Sequence, residues 1–416
     1  MIIRRLGILI PLTALLCAFP ADALAQSEAG AQSTLLDPSV RSAGMGRTGV
    51  AVFWGGDPNA WVNPSLLGYY RGIRYEGGET QLVPDLSDSV YFTSNQITLG
   101  GYGIGISMEG KPFEDIGGIK LDYGLSEGTD VDGNPTGAFN SIETIESLGL
   151  GLSLAQLFES VAMLAGKDPP AITRWGDVSL GHTWKSVLVN LAPATVTLDG
   201  RAGFAQADES DRGIFARLTP YNSIRYPGML TGIEGTLRAR LDLSYGASSI
   251  NYDEDPTLSY IDEDQADPFA EDSRHGWAVH ADFTLPAQSE QSLRSEKFGW
   301  IYDVIAPLLS FGATWEKSQY SIQGADVGQE IDLSGWELTI ANIFTYRQGD
   351  INDVTGTVIG GTSGWSVGLE YAGVAGARYD KATVLQSIYL QTDVTREGFT
   401  AYLDPLALSR ALRNNP

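Results

Sequence analysis

Residues 277–285 read Trp277-Ala278-Val279-His280-Ala281-Asp282-Phe283-Thr284-Leu285. Every second residue is apolar, and the residues between are small, polar or charged. Successive side chains of a strand point to opposite faces, so this segment presents one oily face and one polar face. The pattern recurs along the chain. Leu237, Ala239, Leu241, Leu243 and Tyr245 alternate with Arg238, Arg240, Asp242 and Ser244. Leu309, Phe311, Ala313 and Trp315 alternate with Ser310, Gly312, Thr314 and Glu316. Trp365, Val367, Leu369 and Tyr371 alternate with Ser366, Gly368, Glu370 and Ala372. Leu148, Leu150, Leu152 and Leu154 alternate with Gly and Ser, while Trp336, Leu338, Ile340, Phe344 and Tyr346 share one phase broken at Asn342. A water-soluble sandwich would alternate too. Two details favour lipid: aromatics gather at strand ends, and the opposite face mixes charges with tiny residues, as a lumen does.

Composition points the same way. The 416 residues are 43% hydrophobic and only 19% charged, with 49 glycines. The net charge of −24 leaves no basic patch to neutralise phosphates, which excludes a nucleic-acid partner. Arg4 and Arg5, the apolar run Leu6 to Phe19, and Ala23-Leu24-Ala25 together read as a secretory signal peptide over residues 1–25. Beyond it, no stretch is long and apolar enough for a membrane helix. Cys17 falls within the leader, so the rest of the chain has no thiol for a disulfide or a metal.

Further strands are expected at Ile73–Gly77, Ser89–Thr93, Gln96–Gly100, Tyr102–Glu109, Trp175–Lys185, Ala194–Gln206, Gly213–Leu218, Val384–Val394 and Gly398–Leu403. The total is about fifteen, and closed single-chain barrels favour an even number, so about 14 strands are expected. Gly101, Gly103 and Gly105 read as small inward residues of a strand. Glu127–Asn140 reads as an Asp/Gly loop, because Asp130-Val131-Asp132-Gly133-Asn134 lacks the remaining ligands of a calcium loop. Leu154 to Gly166 reads as a short apolar helix, at the barrel mouth or on the membrane surface. Asn251–Arg274 holds nine acids, including Glu271 and Asp272, and reads as a solvated outer loop with a cation site as the alternative. Lys297–Ala306 is an apolar patch without alternation, and the tail from Asp404 a short capped helix.

Behind the leader lies Arg41 to Leu67, RSAGMGRTGVAVFWGGDPNAWVNPSLL. It is too irregular for a strand and too apolar for a solvated tail, so it needs a wall to pack on. Asn63 before Pro64 is pushed out of the helical region, and Pro64 can then open a short helix with Asn63 as its cap. Gly44, Gly46 and Gly49 let the backbone lie close to that wall. Arg41, Gly44-Met45-Gly46, Gly49-Val50-Ala51, Asp57, Ala60 and Asn63-Pro64 follow a pattern that resembles the amino-terminal region of the PorV/PorQ family, within the wider FadL-type superfamily of fatty-acid channels. The resemblance implies a 14-stranded transmembrane antiparallel β-barrel with an N-terminal hatch inside the lumen. Arg41, Gly44, Met45, Gly46, Gly49, Asp57, Asn63, Pro64 and Ser65 become the candidate hatch and ligand residues. Three positions depart from the pattern. Arg47-Thr48-Gly49 stands for Gly-Gly-Ala and Asn63-Pro64-Ser65 for Asn-Pro-Ala, and the chain ends Asn414-Asn415-Pro416 instead of in an aromatic. The expected division is leader 1–25, hatch 26–68, barrel 69–403 and tail 404–416.

The lumen-facing polar residues expected are Arg238, Arg240, Asp242, His280, Asp282 and Glu370. His280 and Asp282 share the inner face of one strand, but no spaced nucleophile motif accompanies them. No metal-ligand set, cofactor fingerprint or catalytic residue is expected. The leading expectation is an outer-membrane passage for small hydrophobic solutes in a Gram-negative-type bacterium, with membrane lipid around it. A non-channel scaffold with a secretion-machinery partner is the alternative, and a barrel hydrolase the remote one.

Overall fold

The computed structural model of the chain describes residues 31–55, 57–84, 87, 89–109, 118–129, 132, 134–168, 170–193, 203–222, 238–252, 257–260, 266–284, 307–322, 329–353, 359–371, 374–385, 393–405 and 407–409. The leader, Lys297–Ala306, the chain end, residues 130, 131 and 133, and residues 253–256 and 261–265 of the acidic stretch lie outside these.

In chain order the wall elements are β1 (Gly72–Gln81), β2 (Tyr91–Gly101), β3 (Ile104–Glu109), β4 (Ile119–Thr129), β5 (Pro135–Ser153), β6 (Gly176–Ala192), β7 (Gly203–Asn222) and β8 (Arg238–Ile250). Then come β9 (Thr257–Tyr260), β10 (Ala266–Pro268), β11 (Ala270–Thr284), β12 (Pro307–Ile322), β13 (Gln329–Ile340), β14 (Phe344–Asp353), β15 (Ile359–Tyr371), β16 (Ala375–Leu385) and β17 (Asp393–Leu403). Helix α1 (Val40–Gly44) precedes the wall, and helix α2 (Leu154–Leu164) joins β5 to β6.

Neighbouring strands pair antiparallel, and β1 pairs with both β2 and β17, so the sheet closes on itself. β3 and β4 share one place between β2 and β5, and the β9–β10 hairpin is an annex beside β7. The wall is therefore a closed antiparallel barrel of 14 strands. Closure removes the free edges that an open sheet would expose to lipid.

Alternation maps onto inside and outside. Trp277, Phe311, Trp315, Trp365, Val367 and Leu369 are exposed on the outer face, while Ala278, Thr314, Glu316 and Ser366 are buried within. Outer aromatics meet across strands, Tyr245 against Trp277, Trp277 against Trp315, Tyr346 against Trp365 and Tyr379 against Phe399. One step further along, the outer residues become Lys317, Gln348, Lys381 and Glu397. The belt thus marks one edge of the lipid-facing band. At the opposite end lie the start of β1, the finish of β17 and two tight turns, at residues 102–103 and 341–343. That end is called the turn end below, and the other the loop end.

Several sequence expectations need correction. Trp336 to Tyr346 is a hairpin, not one strand: Ala341 and Asn342 both have positive φ, 53° and 52°, as a primed turn requires. Directly paired residues share a face, so the hairpin preserves the apolar phase. Gly101 to Gly103 is likewise a turn, with Tyr102 at φ 57° and Gly103 at φ 85°. Ser89–Thr93 and Gln96–Gly100 belong to the single strand β2. Of the strand expected at Ala194–Gln206, residues 194–202 lie outside the described residues; the rest is joined with Gly213–Leu218 in β7, whose central Glu209 and Asp211 point inward, Asp211 pairing with the buried Lys185 at 2.7 Å. Val384–Val394 straddles two strands. The true β16 was hidden because Ala377, Lys381 and Thr383 give its outer face no apolar signature. The described parts of Glu127–Asn140 extend β4 and β5, and Glu271 and Asp272 belong to β11 instead of an outer loop.

The inner face is not uniformly polar. Toward the loop end, Phe92, Ile119, Leu121, Ile145, Val187 and Val189 point inward and form one buried cluster with Val50, Val52, Trp54, Trp61 and Val62. One place in the wall is irregular. β2 pairs with β3 through Gln96–Glu109 and with β4 through Ser94–Ile119, advancing only by Asn95. Glu109 ends β3 and Ile119 opens β4 beside nearly adjacent positions of β2, so the wall passes from one strand to the next there.

Candidate functional site

The described residues between 33 and 70 bond to β5, β7, β8, β12 and β13 on different sides of the ring, so they lie against its inner face. Ser39 caps α1, its side chain accepting the Ser42 N–H at 3.2 Å. Asp37 accepts from the Ser39 N–H at 2.9 Å and from Asn59 Nδ2 at 2.8 and 2.9 Å, closing the segment on itself. The chain reverses at Gly46 (φ 70°) and Arg47 (φ 62°). At the far end, the 3-10 turn Pro64–Tyr69 opens as its sequence predicts, with Asn63 Oδ1 accepting the Ser65 N–H at 3.1 Å and the Ser65 hydroxyl at 2.6 Å. Asn63 Nδ2 donates to the carbonyl of Val50 at 2.7 Å and to that of Ile214 on β7 at 3.2 Å. Asn63 is thus both cap and tie. Asn63→Ala is expected to destabilise docking of this turn by about 1–2 kcal/mol, read as faster backbone hydrogen exchange at Ser65 and Leu66.

The wall makes room with glycine. Gly105, Gly151, Gly181 and Gly213 are direct cross-strand partners on β3, β5, β6 and β7. A Cβ on any of them would overlap Asn63, Pro64, Ser65 or Leu67. Gly335 and Gly349, paired across β13 and β14, lie under the Met45 carbonyl group and Gly46 in the same way. Gly44 sits over Gly364 of β15, 3.1 Å from a built Cβ to the Gly364 Cα.

Charge holds the segment on the opposite side. Arg41 donates to Glu337 of β13, Nε to Oε2 at 2.9 Å and Nη2 to Oε1 at 2.7 Å. Glu337 Oε2 also accepts from Arg347 Nε of β14 at 2.6 Å, and Arg347 Nη1 donates to Asp380 of β16 at 2.8 Å. Asp380 accepts from Arg378 Nε at 2.8 Å, and Arg378 Nη1 donates to Asp57 at 3.0 Å. Asp57 lies 3.4 Å from Arg41 Nη1, which closes a ring of three guanidiniums and three carboxylates. Burial works to lower the Arg41 pKa, but Glu337 and Asp57 outweigh it and hold the guanidinium above its ordinary range. Glu316 of β12 adds a second tie, its Oε1 accepting the N–H groups of Gly49 at 2.7 Å and Val50 at 2.9 Å. Part of the chain's large negative charge is therefore spent inside, on backbone donors and arginines.

Above the segment, at the loop end, lies a cavity of about 600 Å³. Leu35, Leu36, Leu82, Val83, Leu121, Ile331, Leu333 and Ile351 give it an apolar lining, with Arg47, Arg274, Asp272 and Asp353 at one side. Arg274 is tied to Asp272 at 2.6 Å and donates to the Arg47 carbonyl at 3.1 Å. Burial first, and the neighbouring Arg274 second, lower the Arg47 pKa. Two smaller cavities of about 20 and 10 Å³ lie along Asp57, Glu76 and Ser94. The first also reaches Asn95, Gln96, Glu109 and Ile119, where the wall strand is interrupted.

The remaining expected residues fall as follows. Arg240 pairs with Asp242 at 2.8 Å, Asp282 accepts from Thr284 at 3.2 Å and Glu370 from Asn342 at 3.5 Å. The Arg238 side chain lies outside the described residues. His280 does not partner Asp282. Directly opposite Asp242 in register, it puts Nδ1 3.7 Å from Asp242 Oδ2 and Nε2 2.8 Å from Ser310 Oγ. The residue types are those of a hydrolytic triad, but 3.7 Å is not a hydrogen bond. Asp242 is already held by Thr219 at 2.5 Å, and Trp54 stacks on the imidazole at 5.0 Å. The group is polar packing beneath Trp54. Sequence reasoning missed Glu337, Arg347, Arg378 and Asp380, although the inward phase of Glu337 could have been read from Trp336 and Leu338.

Fold and site together define a closed antiparallel β-barrel with an apolar outer band, to whose inner face Arg41, Gly49 and Asn63 are hydrogen-bonded beneath an apolar mouth. No protein-family model matches the sequence, and no curated protein matches it significantly. Among solved structures, a FadL homologue of Pseudomonas aeruginosa is 10% identical over 92% of this chain and 100% of its own, with a TM-score of 0.34. The toluene transporter TodX of Pseudomonas putida is 11% identical over 92% and 100%, TM-score 0.36. The toluene transporter TbuX of Ralstonia pickettii is 12% identical over 88% and 96%, TM-score 0.35. At these values nothing below rests on them.

Proposed function

We propose that the chain is an outer-membrane channel for small hydrophobic solutes, with residues 26–68 as its hatch. The observation that carries this reading is the apolar cavity of about 600 Å³ at the loop end, floored by the N-terminal segment. Four charged residues share this mouth, but more of its lining is leucine, isoleucine and valine, a surface that gains free energy by taking apolar area from water. The cavity lies at the end of the barrel opposite the tight turns at residues 102–103 and 341–343. Leu36 and Leu121 line it, and Pro38 and Ile119, the next inward positions, line the small cavity at the interruption between β3 and β4. About 20 Å³ holds little more than one water, so a solute passes only when the segment around Asp57–Trp61 shifts. Arg47 gives the mouth a cationic side, which a carboxylate solute would use and a hydrocarbon would not.

Ile331→Asp is expected to lower uptake of a labelled alkylbenzene about tenfold, since a charge in the lining removes roughly 1.5 kcal/mol of apolar contact. Uptake by liposomes or cells, compared with a labelled fatty acid and with cells lacking the protein, is the test. Uptake equal with and without the protein would sink the channel. The resemblance of residues 41–65 to PorV/PorQ proteins leaves a secretion scaffold as the competitor. Co-purification with secretion subunits, in place of solute uptake, would favour it.

A further inference from the structure

We infer that α2 and the turn after it lie in the membrane interface at the turn end, with their apolar stripe among phospholipid acyl chains. The inference needs only the barrel, and goes beyond the proposed channel. A surface helix of a soluble protein buries its apolar stripe and shows its polar side. In α2 the order is inverted. Leu154, Leu157, Phe158, Val161 and Leu164 form one stripe, and Phe158, Val161 and Leu164 are 54%, 55% and 84% exposed. The side turned to the barrel is small or polar instead, with Ala155 and Ser160 buried.

The helix is fixed in this pose. Ser153 and the Ala155 N–H both donate to Asp177 at the start of β6, at 2.6 and 2.8 Å. Gly166, at φ 64°, ends the helix, with the Lys167 N–H returning to the Ala162 carbonyl at 2.8 Å. The next turn, Ala171–Arg174, exposes Ile172 at 75%, and Trp175 follows at 50%. These side chains continue the lipid-facing band, because Tyr102, Ile104, Leu150 and Leu180 are exposed on the flanking wall. Continuity with that band selects lipid as the occupant. Trp175 is the residue type that favours the headgroup level, and the exposed Lys167 and Arg174 have stems long enough to reach phosphates. Glu159 and Asp168 offset their charge, so apolar insertion and not headgroup charge holds the helix.

The test uses the full chain with Cys17→Ser, in phospholipid vesicles. An environment-sensitive fluorophore is placed at Val161→Cys or, in the exposed polar turn after the helix, at Asp168→Cys. The Val161→Cys label should emit blue-shifted, lose most of its intensity to lipid carrying a nitroxide near the glycerol end, and resist aqueous iodide. The Asp168→Cys label should behave in the opposite way. Equal iodide quenching of both labels would overturn the inference. So would protection of the Val161→Cys label from both quenchers, which would mean a protein cover such as a second copy. An unchanged heat-modifiable gel shift establishes that each variant is a folded barrel.

Discussion

Glu337→Ala should loosen the N-terminal segment by about 3–5 kcal/mol, the cost of leaving buried cations without their partner. Glu337 is the shared acceptor of Arg41, Arg347 and the Trp54 indole, at 2.6 to 3.1 Å. With it gone, the ring holds three cations against two anions, and Arg41 and Arg347 repel across the vacated place. Rotation toward Asp57 relieves Arg41 only partly, because Arg378 already engages that carboxylate. The wall keeps its ladder, since Gly312 and Arg347, the register partners of Glu337, pair with it through backbone. The expected result is a folded barrel whose residues 37–62 become open to protease, with Glu337→Gln intermediate. Protection equal to that of the parent chain would show that the ring does not hold the segment.

Gly181→Val should expel the Asn63–Leu67 turn while sparing the wall. Gly181 sits in the row Gly105, Gly151, Gly181 and Gly213, and a Cβ there would overlap the Pro64 carbonyl group and the Ser65 nitrogen. Both obstacles are backbone, so no rotamer change relieves them, and overpacking of this kind costs about 1–3 kcal/mol or more. Valine is itself a good strand former, so β6 tolerates it. The predicted readout is a rise in bilayer conductance at unchanged barrel stability. Gly361→Val is the control, because a Cβ there meets nothing nearer than 3.8 Å. Equal conductance in the two variants would contradict the cradle.

The alternation was legible because lipid on one side and a lumen on the other impose a two-residue period. Trp277 to Leu285 shows it without help. The Asn63-Pro64 turn was legible because proline geometry is local. The ring was not, since Arg41 meets Glu337 from 296 positions away and no local pattern encodes that. Nor was the glycine row. Each glycine could be placed in the inward phase of its strand, but which four stand side by side depends on register, and register is set by pairing around the whole barrel. β16 stayed hidden for a different reason. Its inward Arg378 and Asp380 are satisfied by Asp57 and Arg347, and outside it offers lipid little more than Tyr379.

The most direct test ties the segment to the wall. A Cβ built on Gly44 lies 3.5 Å from that of Ala382, within the span of a disulfide. In a chain carrying Cys17→Ser, Gly44→Cys and Ala382→Cys, oxidation should close that bond in the folded barrel. Alkylbenzene uptake should then fall to the level of cells lacking the protein, and dithiothreitol should restore it. A bond that fails to form in the folded barrel would contradict a segment lodged against β16. A bond that forms and leaves uptake unchanged would contradict a hatch that must move for solute to pass.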